Sequence, residues 1–179
     1  MIYKSLNGFV FPNQTGILTT EITSNDITRS PDAIKRAPGI YQELVEKDYE
    51  LRVTIVGAKV FPALVRTPHQ GDGSVDWRHA HFENIFEECT LDERIADKLV
   101  AFQREAGLRF GTYDLIIDAG GQCVFLECNP AGQFLWLENA LGLPIMDAIA
   151  RDLCATASLR VHTHAEGYAL LNGVVATSK

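Results

Sequence analysis

Two strand-forming runs joined by a pair of glycines constrain this chain more than any other segment. Tyr113-Asp114-Leu115-Ile116-Ile117-Asp118 and Cys123-Val124-Phe125-Leu126-Glu127-Cys128-Asn129 flank Ala119-Gly120-Gly121-Gln122. Gly-Gly between β-rich runs marks a tight hairpin turn, so antiparallel sheet is written into the middle of the chain. With Gly120 and Gly121 as the two central turn residues, Asp114 falls directly opposite Glu127. Residues two apart on a strand share a face, which sets Glu127 and Asn129 together and turns Leu126 and Cys128 the other way. Like charges facing each other across a sheet destabilise it, so this register calls for a positive group between the acids. Two carboxylates and an amide oxygen suit a hard divalent cation, most commonly Mg²⁺ held by few protein ligands plus phosphates. The competing reading is an exposed hairpin face with two solvated acids.

A second hairpin precedes the first. Tyr49-Glu50-Leu51-Arg52-Val53-Thr54-Ile55-Val56 and Lys59-Val60-Phe61-Pro62-Ala63-Leu64-Val65-Arg66 flank Gly57-Ala58. Gly at the first central position fits a type II′ turn. Pro62 has no N–H for a ladder, which places the return strand at an edge or a bulge. Alternation puts Glu50 and Arg52 on one face and Arg66 on the face opposite Arg52. Glu50 and Arg52 read either as an acceptor beside an anion-binding guanidinium or as a plain surface ion pair.

Further strands are expected at 1–4, 17–22 and 40–45. Ser24-Asn25-Asp26 is expected to cap a short helical segment, with Pro31 and Pro38 interrupting the stretch after it. Asp92 to Ala106 is the clearest helix: Ile95, Leu99 and Phe102 form its inner stripe, Glu93, Arg94, Asp97, Lys98 and Gln103 its outer side, and Gly107 stops it. Shorter helices are expected at 133–140 and, after Pro144, at 145–153. The class is α+β.

At 179 residues and 46% hydrophobic, the chain can bury a sizeable core as one domain or two small lobes. A net charge of −7 without any Lys/Arg block argues against nucleic acid as a partner. No apolar run reaches the roughly 18 residues that argue a membrane helix, and no signal-peptide layout opens the chain, so cytoplasmic is the default. Cys89, Cys123, Cys128 and Cys154 form no Cys-x-x-Cys pair. Cys123 and Cys128 point to opposite faces of one strand, and all four read as reduced, mostly buried thiols. His79 and His81, just after Arg78, read as a surface loop or as substrate contacts. The Gly- and Pro-containing stretch 67–74 is a connector or a lid.

The run Leu126-Glu127-Cys128-Asn129-Pro130-Ala131-Gly132-Gln133-Phe134, with Trp136 and Glu138 after it, is similar to the ATP-grasp peptide maturases that make graspetides such as microviridins. Asp114 followed by the Glu-x-Asn of Glu127 and Asn129 resembles the metal-binding strands of ATP-grasp ligases at large. The resemblance runs from about Lys4 to about Leu153 with its elements in the family's order. It implies the ATP-grasp fold, two α+β lobes with antiparallel sheets gripping ATP: a partial small lobe at 1–45, a large lobe with the metal site at 46–153, and a tail at 154–179. ATP and Mg²⁺ are the implied cofactors, the metal on Asp114, Glu127 and Asn129.

Ile2-Tyr3-Lys4-Ser5-Leu6-Asn7-Gly8 resembles the strand and loop whose lysine, here Lys4, reaches the nucleotide phosphates; an ordinary surface lysine competes with that role. Ile40-Tyr41-Gln42-Glu43-Leu44-Val45 resembles the inter-lobe hinge, where Gln42, Glu43, Leu44 and Val45 would hold the adenine. Glu50 would accept from the ribose and Arg52 would bind phosphate. Arg66 and Arg78 lie near positions where related enzymes use basic residues on the transferred phosphate or the acyl substrate.

The resemblance implies a ligase that activates a peptide side-chain carboxylate as an acyl phosphate and closes an ester or amide crosslink in a ribosomal precursor peptide. Its implied partner is that peptide with its leader, and a homodimer stays open. The rivals are a non-catalytic remnant that binds nucleotide or leader peptide, and an amino-acid-adding carboxylate–amine ligase. Against the latter, His79-Ala80-His81-Phe82-Glu83 follows Arg78 where that branch has Ser-x-Asn. The family carries a pre-ATP-grasp domain ahead of the strand that holds Lys4. With Met1 three residues before Lys4, the chain is expected to be a fragment, a split piece or a shortened relative, without that domain and a poor catalyst alone.

Overall fold

The structure, a computed structural model, describes residues 1–6, 19–36, 38–66 and 85–157. Arg78, His79, His81, the 67–74 stretch, the start of the strand expected at 17–22 and most of the tail lie outside the described residues. The elements run β1 (Ile2–Ser5), β2 (Thr20–Glu21), α1 (Ser24–Arg29), α2 (Pro31–Arg36), β3 (Gly39–Gln42), β4 (Lys47–Val56), β5 (Lys59–Val65) and β6 (Phe86–Glu88), then α3 (Glu93–Glu105), β7 (Phe110–Asp118), β8 (Cys123–Asn129) and α4 (Leu135–Leu141). A further helix, α5, occupies 145–157. This is an α+β chain with antiparallel sheets, ordered β2-β1-β3 and β6-β5-β4-β7-β8. It divides into two compact units, one comprising Met1–Val53, Pro62–Thr90 and Tyr113–Cys128, the other Thr54–Phe61, Leu91–Thr112 and Asn129–Lys179.

In the first unit β1 is the middle strand of three, with Ile2 paired to Glu21 on one side and to Gln42 on the other. Tyr3 pairs with Tyr41, and their rings lie 5.2 Å apart. The ladder ends at Gln42, so Glu43, Leu44 and Val45 lie off the strand expected to include them. Thr23, one residue ahead of the expected cap, starts α1 through a capping box: its hydroxyl accepts from Asp26 N while the Asp26 carboxylate accepts from Thr23 N. Pro31 opens α2 rather than interrupting a helix, since its missing N–H falls where the first turn needs none.

Pro62 lies inside β5, which has a neighbour on each side. However, β6 pairs only with Ala63, Leu64 and Val65, so β5 is an edge as far as Pro62 and the missing donor costs no hydrogen bond there. The β7–β8 turn differs from the expected one. Gly121 N donates to Asp118 O (2.9 Å) and Asp118 N to Gln122 O (3.0 Å), which leaves a three-residue loop of Ala119, Gly120 and Gly121. The Asp118 carboxylate selects it by accepting from Gly120 N (2.9 Å) and Gln122 N (2.8 Å), and Gly121 takes the left-handed φ of +77° that such a loop needs at its last position. The register inferred from a two-residue turn therefore loses its basis.

In the second unit Val56, Ile145 and Ala148 form a core cluster with Phe61, Phe110, Phe134, Leu143 and Ile149 around it. Phe110 and Phe134 meet edge to face at 5.5 Å. α3 keeps its expected bounds but is rotated from the expected stripe: Gln103 is buried and Phe102 is 46% exposed. The buried amide donates to Gly57 O at 3.1 Å, so the hairpin turn's carbonyl gains a partner that Phe102 could not supply. Glu138 on α4 accepts from Met146 N in the first turn of α5 (2.8 Å). The four cysteines are unbridged; Cys89, Cys123 and Cys128 are half-buried and Cys154 is exposed, less burial than expected.

This packing has two measurable consequences. A Cβ at Gly132 would sit 1.6 Å from Oγ1 of Thr112, which is fully buried. Gly132→Ala should cost about 1–3 kcal/mol in denaturant unfolding, and Thr112→Ala in the same chain should recover part of it. Burial, then the hydrogen bond with Cys128, push the Tyr113 phenol well above its usual 10. The unfolded chain releases that proton first, so stability present below about pH 10 falls as pH rises beyond it. Tyr113→Phe should flatten this alkaline loss in melts recorded between pH 8 and roughly 11.

Candidate functional site

Every residue of β4 from Glu50 to Val56 is buried. A strand covered on both faces usually reads as a continuous apolar run. Here alternation gives one face to Leu51, Val53 and Ile55 and the other to Glu50, Arg52 and Thr54. A buried ion costs several kcal/mol unless it is paired, so that polar face fixes its neighbours. Lys47 Nζ donates to Glu50 Oε1, with the two side chains 9% and 10% exposed. Arg52 Nη1 donates to both Asp114 oxygens at 2.7 Å, joining β4 to its sheet neighbour β7.

Lys47, Glu50 and Asp114 line a cavity of about 370 Å³, within the usual range for small-molecule sites, whereas Arg52 is not in its wall. Lys4 enters its wall from β1, Gln42 from the end of β3, and Glu43, Leu44 and Val45 from the segment after it. Glu50, Asp114 and Glu127 complete the expected set that lines it. The two acids of the β7–β8 hairpin thus share one cavity although the turn is not the one that first suggested it. Lys47–Glu50 and Arg52–Asp114 neutralise one another, which leaves Lys4, Glu43 and Glu127 to set the remaining charge. Among the described residues Lys4 makes no ion pair.

Other expected residues stand elsewhere. Asn129 is not in the cavity wall; its Oδ1 accepts from Ala131 N at 2.9 Å, and its carbonyl accepts from Thr112 Oγ1 at 3.4 Å. Arg66 makes a two-pronged, exposed pair with Glu87 on β6, through Nε (2.6 Å) and Nη2 (3.0 Å). That pair holds the Glu87 carboxyl below its usual range. Arg78 lies outside the described residues. Sequence reasoning missed Lys47, because Glu46-Lys47-Asp48 reads as a solvated charged turn. It also missed Phe125 and Leu126, cavity residues that look like strand filler.

Among the described residues no three His, Cys, Asp or Glu side chains form a metal-binding group. Asp114 and Glu127 in one cavity do fit a hard ion that takes few protein oxygens and completes its shell with phosphate and water. The pairing with Arg52 does not exhaust Asp114, since a carboxylate offers about four lone-pair sites.

No protein-family model matches the chain, and no curated protein matches it significantly in sequence. Solved structures do match. A RiPP-associated ATP-grasp ligase of Chryseobacterium gregarium, in complex with ADP and a leader and core peptide, has a TM-score of 0.78 at 24% identity, covering 87% of this chain and 48% of its own. The macrocyclase MdnC of Microcystis aeruginosa MRC, bound with precursor peptide MdnA, gives 0.72 at 30% identity, covering 86% and 48%. The ATP-grasp ligase PsnB, complexed with a phosphomimetic minimal precursor, Mg and ADP, gives 0.63 at 22% identity, covering 84% and 46%. The fold is therefore that of the ATP-grasp ligases. More narrowly, it matches RiPP-associated members of that class, and the chain spans about half of their length. No described helix is long and apolar enough to cross a membrane.

Arg52→Met should destabilise the chain by about 3–5 kcal/mol in chemical denaturation, because Asp114 would be left without its counter-ion. Adding Asp114→Leu should restore most of the loss. Arg66→Ala, which breaks only an exposed pair, should leave the unfolding midpoint unchanged.

Proposed function

We propose that this chain binds ATP with Mg²⁺ as the nucleotide-holding part of a ligase that crosslinks a ribosomal precursor peptide. The observation that carries the reading is that Lys4, the Gln42–Val45 segment, Glu50, Asp114 and Glu127 wall a single cavity. The likeness to ligases solved with ADP, Mg and precursor peptides supports the choice of ligand and substrate. In this reading backbone groups of 43–45 meet the adenine edge, and Leu44 and Val45 with Leu126 flank the ring. Glu50 accepts from the ribose, Lys4 reaches the phosphates as a mobile charge, and Asp114 and Glu127 hold the ion. Mg²⁺, when bound, withdraws charge from phosphate oxygens and orients them.

A carboxylate of the peptide attacks the γ-phosphorus of ATP, and ADP leaves. A lysine amine or a Ser/Thr hydroxyl of the same peptide then displaces phosphate, giving an amide or ester and releasing a proton. The chain supplies no covalent nucleophile. Its residues position and neutralise: Arg52 draws on the charge that builds on the transferred group, and Arg66 and Arg78 take the phosphate or acyl side. Cytoplasmic location is part of the proposal, since precursor peptides and ATP meet there.

Titration with ATP, monitored by calorimetry and by amide NMR, tests the reading. Binding should depend on Mg²⁺, shift the amide signals of Glu43, Leu44 and Val45, and lose at least about tenfold in affinity in Glu127→Gln, as expected for an interaction with a charged group. ATP that left those amides unmoved would defeat the proposal. Precursor-dependent release of ADP would extend it from binding to catalysis.

A further inference from the structure

We propose that Lys47 is a positioning residue that aims Glu50 at the ribose hydroxyls, and so sets a preference for a ribonucleotide over its 2′-deoxy analogue. The inference rests on the proposed nucleotide site and assigns a residue that the sequence alone did not single out. Lys47 and Glu50 both line the cavity, and both side chains are about nine-tenths covered. A buried ion pair is seldom worth more to a fold than an apolar pair of the same volume, so its placement at a cavity wall calls for something recognised there. The Glu50 carboxylate can only accept, whereas a ribose diol offers two O–H donors. The ammonium on Oε1 holds one orientation of a long side chain that would otherwise sample several, and that loss of freedom precedes binding.

The surrounding strand supports the same role. β4 begins at Lys47, just after the 43–45 segment that lines the cavity. Glu50 and Arg52 share a face and stand roughly 7 Å apart along the strand. An acceptor and a guanidinium at that spacing match the separation of ribose hydroxyls from phosphates in a nucleotide. Lys47 bound to phosphate itself is the rival role, and it makes a different prediction: ATP and 2′-deoxyATP would weaken together when the charge is removed.

The test is calorimetric affinity for ATP and for 2′-deoxyATP, each with Mg²⁺, in the wild-type chain, Lys47→Met, Lys47→Gln and Glu50→Gln. The wild type should prefer ATP by about 10- to 100-fold, the range that one hydrogen bond to a charged group supports. In Lys47→Met the preference should fall to that of Glu50→Gln, within about threefold of unity, while Lys47→Gln, whose amide still donates, should lie between. An unchanged preference in Lys47→Met, or equal weakening of both nucleotides, would overturn the inference. So would a wild-type preference near unity, a result that leaves nucleotide binding standing; no binding of either nucleotide would remove the proposed function as well. If Lys47→Met fails to fold by circular dichroism, Lys47→Gln and the wild-type preference decide the matter.

Discussion

The polar face of β4 is the constraint on which the rest depends. Glu50 and Arg52 sit two residues apart on a strand that is buried on both sides, and neither charge is tolerable there alone. Arg52 fixes where Asp114 must come, which fixes β7 against β4. Glu50 fixes Lys47, which sets the start of β4 beside the 43–45 segment. The same two pairs that let the strand be buried also bring two carboxylates, Glu50 and Asp114, and the Lys47 ammonium to one cavity. In the proposed reading, stability and recognition share these atoms.

The hairpins, the α+β class and the approximate bounds of α3 were legible because each rests on a local rule: glycine at a turn, alternation along a strand, a helical stripe closed by Gly107. Most of the cavity was legible too. Lys4, Gln42 to Val45, Glu50, Asp114 and Glu127 were singled out from sequence and stand together. The features that could not be read depend on partners distant in sequence. Gln103 looks like a surface residue until the Gly57 carbonyl is placed beside it, and the Arg52–Asp114 pair spans 62 positions.

The three-residue turn shows how a local rule can mislead. Gly120-Gly121 invites a two-residue loop, but Asp118 supplies its own turn by capping two backbone amides and lengthens the loop by one residue. The two hairpin acids still line one cavity, although the pairing arithmetic that first set them together does not hold. Lys47 failed to register for a related reason. Charged residues next to one another look solvated, and only the burial of Glu50 makes an inward lysine necessary.

The central claim is that one cavity, walled by Lys4, Glu50, Asp114 and Glu127, holds a nucleotide and a divalent ion. A crystal structure grown with Mg²⁺ and a non-hydrolysable ATP analogue tests it most directly. The account predicts the nucleotide in that cavity, its ribose beside Glu50, and an ion about 2.0–2.1 Å from an oxygen of Asp114 or Glu127. A nucleotide bound elsewhere, with the Arg52–Asp114 and Lys47–Glu50 pairs undisturbed and the cavity holding only water, would contradict it.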